Sequence, residues 1–213
     1  MNRTTRRTVA GVAVAALLAF AAGWLTGRGG AERRSGSPGA AAGPEVLYDA
    51  PSFALQTQRG DTLRSSDLRG TPWVLHVFFT HCRSVCPITT GRMAALRDTL
   101  ASRGLLGSDV RLVSITVDPA RDSLAAIRSW AGRHGADDPA RWAFLRGEPP
   151  ERVRRLVQEG FKLSAMMPGD TTGDYQVTHS PRVLLVDGSG GVRGSYEILR
   201  ERDVRSLLDE LGR

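Results

Sequence analysis

Residues 73 to 90 read WVLHVFFTHCRSVCPITT, and the two ends of this stretch obey different periods. Trp73 to Phe79 is an apolar run broken only by His76, the pattern of a strand buried on both faces at the centre of a sheet. From Thr89 to Arg103, Met93, Leu96 and Leu100 recur at helical spacing, with Arg92, Arg97 and Asp98 between them and Gly104 as the stop. Cys82 and Cys86 therefore stand where a central strand ends and a long helix begins.

The same alternation continues along the chain. Phe53–Thr57 and Asp61–Leu63 read as a hairpin around Arg59-Gly60, and Val110–Val117 as the strand after the first helix. Asp118-Pro119 ends that strand, Asp122 or Ser123 caps a helix running to His134, and Gly135 stops it. Trp142–Leu145 reads as a short strand, Pro149–Gly160 as a helix with proline in its first turn, and Arg182–Asp187 as a strand. A turn at Gly188–Gly191, a partner strand Val192–Tyr196 and a last helix Glu201–Leu211 complete the order. Strand, helix, strand, helix, then a hairpin and a final helix predict an α/β, thioredoxin-like fold: a central mixed sheet flanked by helices, here with an extra strand and helix before the hairpin. In such an arrangement a helix N-terminus, with unpaired N–H groups and partial positive charge, faces the chemistry.

Two thiols at that helix end point to reactivity or metal binding. A disulfide between residues four apart closes too small a loop to constrain the unfolded chain much. The helix end lowers thiol pKa and favours thiolate, and a spacing of four within a helical turn would place both sulfurs on one face. His179, in YQVTHSP just before the Arg182–Asp187 strand, is the candidate third ligand. Pro181 occupies the place where thioredoxin folds carry a proline, usually cis, opposite the cysteine motif, and that would bring His179 beside Cys82 and Cys86. Two thiolates and an imidazole form a soft donor set suited to Cu(I). The other reading of the same cysteines is a thiol-disulfide redox pair, and the bland reading of His179 is a strand cap. A peroxidatic cysteine is disfavoured, because Thr80 stands too close to Cys82 and Pro72 is wrongly spaced.

The stretch THCRSVCP resembles the motif of the SCO/SenC family, and so do VSITVDPARD, with Asp118, Pro119, Arg121 and Asp122, and YQVTHS. The three matches occur in the family's order, and the resemblance covers most of residues 45–210. It implies a membrane-tethered, thioredoxin-like metallochaperone with Cys82, Cys86 and His179 as ligands of copper, as Cu(I), Cu(II) or both. Such a protein delivers copper to the CuA site of cytochrome c oxidase or keeps that site's thiols reduced. The alternative is an extracytoplasmic thiol-disulfide oxidoreductase. Two features depart from the pattern: Arg83-Ser84 replaces the usual Pro-Asp pair between the cysteines, and Pro181 is less typical beside the histidine.

The formal charge of +7 over 213 residues raises nucleic acid as a partner until the charge is located. Six arginines against Glu32 alone lie in residues 1–34, leaving 23 basic and 21 acidic residues elsewhere. A basic face on the folded part, which nucleic-acid binding needs, is therefore not expected. Arg3, Arg6 and Arg7 precede an apolar run from Val9 to Leu25. Residues 1–28 are read as a membrane anchor or signal segment, with the positive end in the cytoplasm and the rest of the chain outside it. Gly, Ala, Ser, Arg and Pro dominate residues 29–44, which are read as a flexible linker, leaving 45–213 as the copper-binding domain. Of the remaining residues, His76 is expected to be a satisfied core histidine and His81 at most an outer neighbour of the site. His134 is expected to be a helix-end residue. Trp73, Trp130 and Trp142 are expected in the core, and Met166 and Met167 in packing rather than ligation. Asp118 and Asp122 are divided between capping and tuning the site.

Overall fold

The computed structural model describes residues 45–212; the expected anchor and linker lie outside them. Among the described residues no helix is long and apolar enough to cross a membrane. In chain order the strands are β1 (Tyr48–Asp49), β2 (Ala54–Thr57), β3 (Thr62–Arg64), β4 (Trp73–Phe78), β5 (Arg111–Thr116), β6 (Trp142–Arg146), β7 (Ala165–Met166), β8 (Thr178–His179), β9 (Arg182–Val186) and β10 (Gly191–Glu197). The helices are α1 (Val85–Ser102), α2 (Leu124–Arg133), α3 (Pro150–Arg155) and α4 (Glu201–Leu211), and a wider π turn, Leu156–Gly160, extends α3.

One eight-stranded mixed sheet runs in the order β1-β10-β9-β4-β5-β6-β2-β3. The pairs β4–β5 and β5–β6 are parallel, joined through α1 and α2, while β9 lies antiparallel against the other side of β4. That parallel centre with an antiparallel hairpin beside it is the thioredoxin-type arrangement. All six residues of β4 are buried, as a strand flanked by β5 and β9 and covered on both faces requires. Each Val, Leu or Phe buried in this way contributes about 1.5–3 kcal/mol relative to exposure. Phe53, Trp73 and Phe161 meet edge-on or tilted with ring centroids 6.1–6.3 Å apart under the start of β4. Phe78, Phe144 and Trp130 pack at its other end, with centroids 5.0–6.2 Å apart. Trp73, Trp130 and Trp142 are all buried, as their surroundings in sequence suggest.

His76, fully buried in β4, is a satisfied core histidine. Its Nδ1 lies 3.2 Å from Ser114 Oγ and its Nε2 3.1 Å from Thr89 Oγ1. Trp142 Nε1 donates to Ser114 Oγ, and Thr89 Oγ1 donates to the Cys86 carbonyl. These two fixed donors set the direction of the chain: Ser114 donates to His76 Nδ1, and His76 Nε2–H donates to Thr89. Burial pushes the His76 pKa down to about 3, so the ring stays neutral.

Candidate metal centre

Helix α1 begins at Val85, four residues before the helical period becomes visible, and so takes in Cys86. Cys82 is not on it. It lies in the turn before Ser84, the N-cap residue, and its Sγ accepts the Cys86 backbone N–H at 3.2 Å. The two sulfurs thus converge because Cys82 takes a free N–H of the first helical turn, not because both share a helical face. Ser84 makes no side-chain cap of its own, so the sulfur does that work.

His179 arrives from the other side of the fold. It lies on β8, which pairs antiparallel with β7 in a separate two-stranded ladder, His179 opposite Ala165 and Thr178 opposite Met166. Side chains alternate faces along so short a ladder. Ala165 and His179 are buried, whereas Met166 is 58% exposed and Thr178 is exposed. His179 Nε2 comes to 2.7 Å from Cys86 Sγ, and its ring meets Phe79 edge-on at 5.9 Å. Nδ1 lies 3.1 Å from the Ser180 carbonyl, an acceptor only, so Nδ1 carries the proton and Nε2 turns its lone pair toward the sulfurs. The donor atoms of Cys82, Cys86 and His179 all lie within 4.8 Å of one another. Both cysteines are free thiols.

The electrostatics of the pair are asymmetric. The Cys82 thiol is pulled far below its ordinary value, first by the hydrogen bond from the Cys86 side chain, against burial, and then by the Cys86 and Ser84 N–H groups. Cys86 moves the other way, pushed up by burial and by Cys82 beside it. The dithiol therefore holds a thiolate on Cys82 and a proton on Cys86. Two sulfurs and one neutral imidazole, converging in a buried site, fit a soft ion in low coordination.

The surrounding residues correct several expectations. Among the described residues the only cis peptide bond is Glu148–Pro149, so Pro181 does not carry one. Met166 points to solvent and packs in no core, because the β7–β8 alternation that turns His179 inward turns it outward; Met167 does pack against the core. Asp122 is no cap, since Ser123 Oγ takes the Ala126 N–H of α2. Fully buried, Asp122 instead accepts from the N–H of Thr80 at 3.0 Å, from Thr80 Oγ1 at 2.5 Å and from Thr116 Oγ1, tying the cysteine turn to β5. Asp118 accepts Tyr175 Oη at 2.8 Å and Arg121 Nε at 2.5 Å. His81 is exposed and lies 3.5 Å from Asp122 Oδ1, outside the donor cluster, and His134 closes α2. Asp174 and Gln176, which sequence alone does not single out, reach the cysteine turn from the 168–177 loop. Nothing periodic marks a loop of that Gly, Asp and Thr composition. A cleft of about 550 Å³ between β2 and α3 is lined by Phe53, Leu55, Arg152, Val153 and Leu156 among others and by none of the three donors.

Comparison with known proteins identifies the family and the fold. The model of the SCO1/SenC family matches residues 45–211. The SCO1 protein homolog of Bacillus subtilis is 28% identical over 164 residues, covering 77% of this chain and 81% of the relative. A crystal structure of Arabidopsis thaliana ScoI with copper bound superposes with a TM-score of 0.61 at 28% identity, over 75% of this chain and 93% of that one. BsSco, described as a member of the Sco family of cytochrome c oxidase assembly proteins with a disulfide switch, superposes with a TM-score of 0.67 at 25% identity, over 79% of this chain and 95% of that one. With a family model spanning nearly the whole described chain and the same overall fold in solved relatives, the protein belongs to the SCO1/SenC family.

Proposed function

We propose that the chain is a copper-binding metallochaperone, with Cys82, Cys86 and His179 as its ligands. Its acceptor would be the CuA site of cytochrome c oxidase, to which it delivers copper or whose thiols it keeps reduced. The observation that carries the reading is the meeting of three soft donors from two distant segments within 4.8 Å, the imidazole already in the tautomer that presents Nε2. In the loaded form Cys86 gives up its proton, and His179 keeps the Ser180 contact that orients it. The copper-bound plant relative and the oxidase-assembly description of BsSco support the cargo and the pathway. In this reading residues 1–28 hold the domain to a membrane on its extracytoplasmic side, with 29–44 as a tether. Anaerobic titration of the reduced protein with Cu(I) should load one ion per chain. Cys82→Ala should lose it, and His179→Ala should bind far more weakly; full stoichiometry in Cys82→Ala would end the proposal.

A second reading rests on the asymmetric thiols. The Cys82 thiolate attacks a partner disulfide, forming a mixed disulfide and releasing one partner thiolate; Cys86, losing its proton, then attacks the Cys82 sulfur and releases the second. The partner is reduced and the Cys82–Cys86 pair oxidised. His179→Ala separates the two readings, because exchange with a partner disulfide should survive it while tight copper binding should not.

A further inference from the structure

The two halves of the site are 93 residues apart in sequence, and three consecutive residues bridge them. Asp174 pairs with Arg83, the residue directly after Cys82, at 2.6 Å, and also lies 3.9 Å from Arg121. Tyr175 reaches Asp118 through its hydroxyl, its carbonyl accepts Arg121 Nη2 at 2.9 Å, and the Arg121 guanidinium lies 3.3 Å above its ring. Gln176 accepts the Arg83 N–H through Oε1 at 3.4 Å and donates through Nε2 to the His81 carbonyl at 3.2 Å. The backbone on both sides of Cys82 is thus held by Gln176, three positions before His179, and the Arg83 side chain by Asp174, five before it. Neighbouring loop positions offer no such grip: Gly169 to Gly173 are exposed, and Asp170 bonds only within its own turn to Thr172.

We propose that Asp174, Tyr175 and Gln176 form a clasp that seats His179 against the cysteine turn, and that Arg83 is its partner on that turn. The inference rests on the copper-carrier reading and adds to it the residues that set how firmly the third ligand is presented. Tyr175 anchors the strap to the buried end of β5 through Asp118 and Arg121, and Asp174 and Gln176 close it over the turn. Arg83 stands where the usual Pro-Asp pair has its proline, and placing an acidic residue at 83 would set it against Asp174 with like charge. The clasp residues touch no metal; they are positioning residues.

The Arg83–Asp174 pair is largely exposed, with 78% and 49% of the two side chains accessible, so its share is screened by salt. The Gln176 bonds are neutral and are not. Two measurements on the full chain test the clasp. In the metal-free reduced protein, amide exchange at Val177 to His179 should speed up about threefold in Arg83→Ala, more in Arg83→Glu and hardly at all in Arg83→Lys, as exposed pairs of this kind allow. Gln176→Ala should speed it up about fivefold, the scale of losing a pair of modest hydrogen bonds. In the loaded protein, release of Cu(I) to a competing chelator should follow the same order. Raising salt should accelerate release in wild type and Gln176→Ala but not in Arg83→Ala. None of these variants should move the melting temperature of the metal-free protein appreciably. Exchange and release that are equal in all variants would overturn the clasp. A wild-type chain that takes up no Cu(I) would remove the carrier reading, while the exchange series on metal-free protein would still decide the clasp.

Discussion

Cys82 and Cys86 have the same side chain and different chemistry, and the difference comes from the hydrogen bonds that Cys82 receives and the burial of Cys86. Cys82 sits outside the helix and receives hydrogen bonds; Cys86 sits inside it, fully buried, and gives one. In the metal-free reduced protein, alkylation of Cys82 by iodoacetamide should therefore stay nearly flat between pH 8 and 5, where an ordinary thiol slows about tenfold per unit. Cys86→Ala removes the largest contribution to that depression, and its Cys82 profile should bend back toward ordinary thiol behaviour. A wild-type profile as steep as free cysteine would contradict the assignment. His76 makes a second case. Its folded pKa of about 3 lies below the ordinary value of 6.5, so between the two the unfolded chain binds a proton that the folded chain refuses. Stability should thus fall as pH drops from about 6.5 toward 3, and one proton's share of that slope should vanish in His76→Phe. The same variant leaves Ser114 and Thr89 without their partner and should cost about 1–3 kcal/mol at pH 7 by chemical denaturation.

The elements that present the donors differ in how much of them the sequence reveals. β4 announces itself because burial on both faces demands an unbroken apolar run, and α4 matches its expected span, Glu201–Leu211, because period and boundaries agree. The start of α1 was hidden. Cys86, Pro87 and Ile88 carry no helical period that Thr89 onward does, and Ile88 is exposed, so nothing apolar marks that turn. The β7–β8 ladder was hidden for a different reason: two residues a side are too few to alternate visibly, and the strands are separated by a loop with no period at all. Yet this ladder decides which way His179 faces. The motif names the three donors, but their meeting depends on a pairing set by Ala165, a buried small residue opposite the histidine. Ala165→Leu would overfill that space, at a cost of about 1–3 kcal/mol, and shift β8 away from the sulfurs. Cu(I) affinity should fall at least tenfold while Cys82 keeps its flat alkylation profile, whereas Ala165→Gly should change affinity little. Equal affinity in Ala165→Leu and wild type would show that the ladder does not set the ligand's position.

The functional end of the domain and its stabilising edge are separable. The donors gather where β4 ends and α1 starts, whereas β1 closes the far edge of the sheet on β10. Leu47 N–H donates to the Val192 carbonyl at 2.8 Å and Ala50 N–H to Gly190 at 2.9 Å. Tyr48 adds a hydroxyl bond to the Phe161 carbonyl at 2.8 Å, and Lys162 Nζ stands 4.1 Å over its ring. Phe161 in turn packs on Phe53 and Trp73, so a two-residue strand ties the sheet edge to the aromatic cluster beneath β4. A fragment of residues 45–213 retains every one of these contacts and the whole matched family region, and should bind Cu(I) with the same stoichiometry as is proposed for the full chain. Shortening it to 52–213 removes the edge strand and bares the β10 ladder. That should cost about 2–4 kcal/mol, the net worth of a few hydrogen bonds and the Tyr48 packing. Calorimetry should then show a melting temperature several degrees lower, with the stoichiometry of Cu(I) unchanged at low temperature. If the shorter fragment instead lost copper while melting at the same temperature, the edge strand would be part of the site's support, and the separation argued from the sheet order would fail.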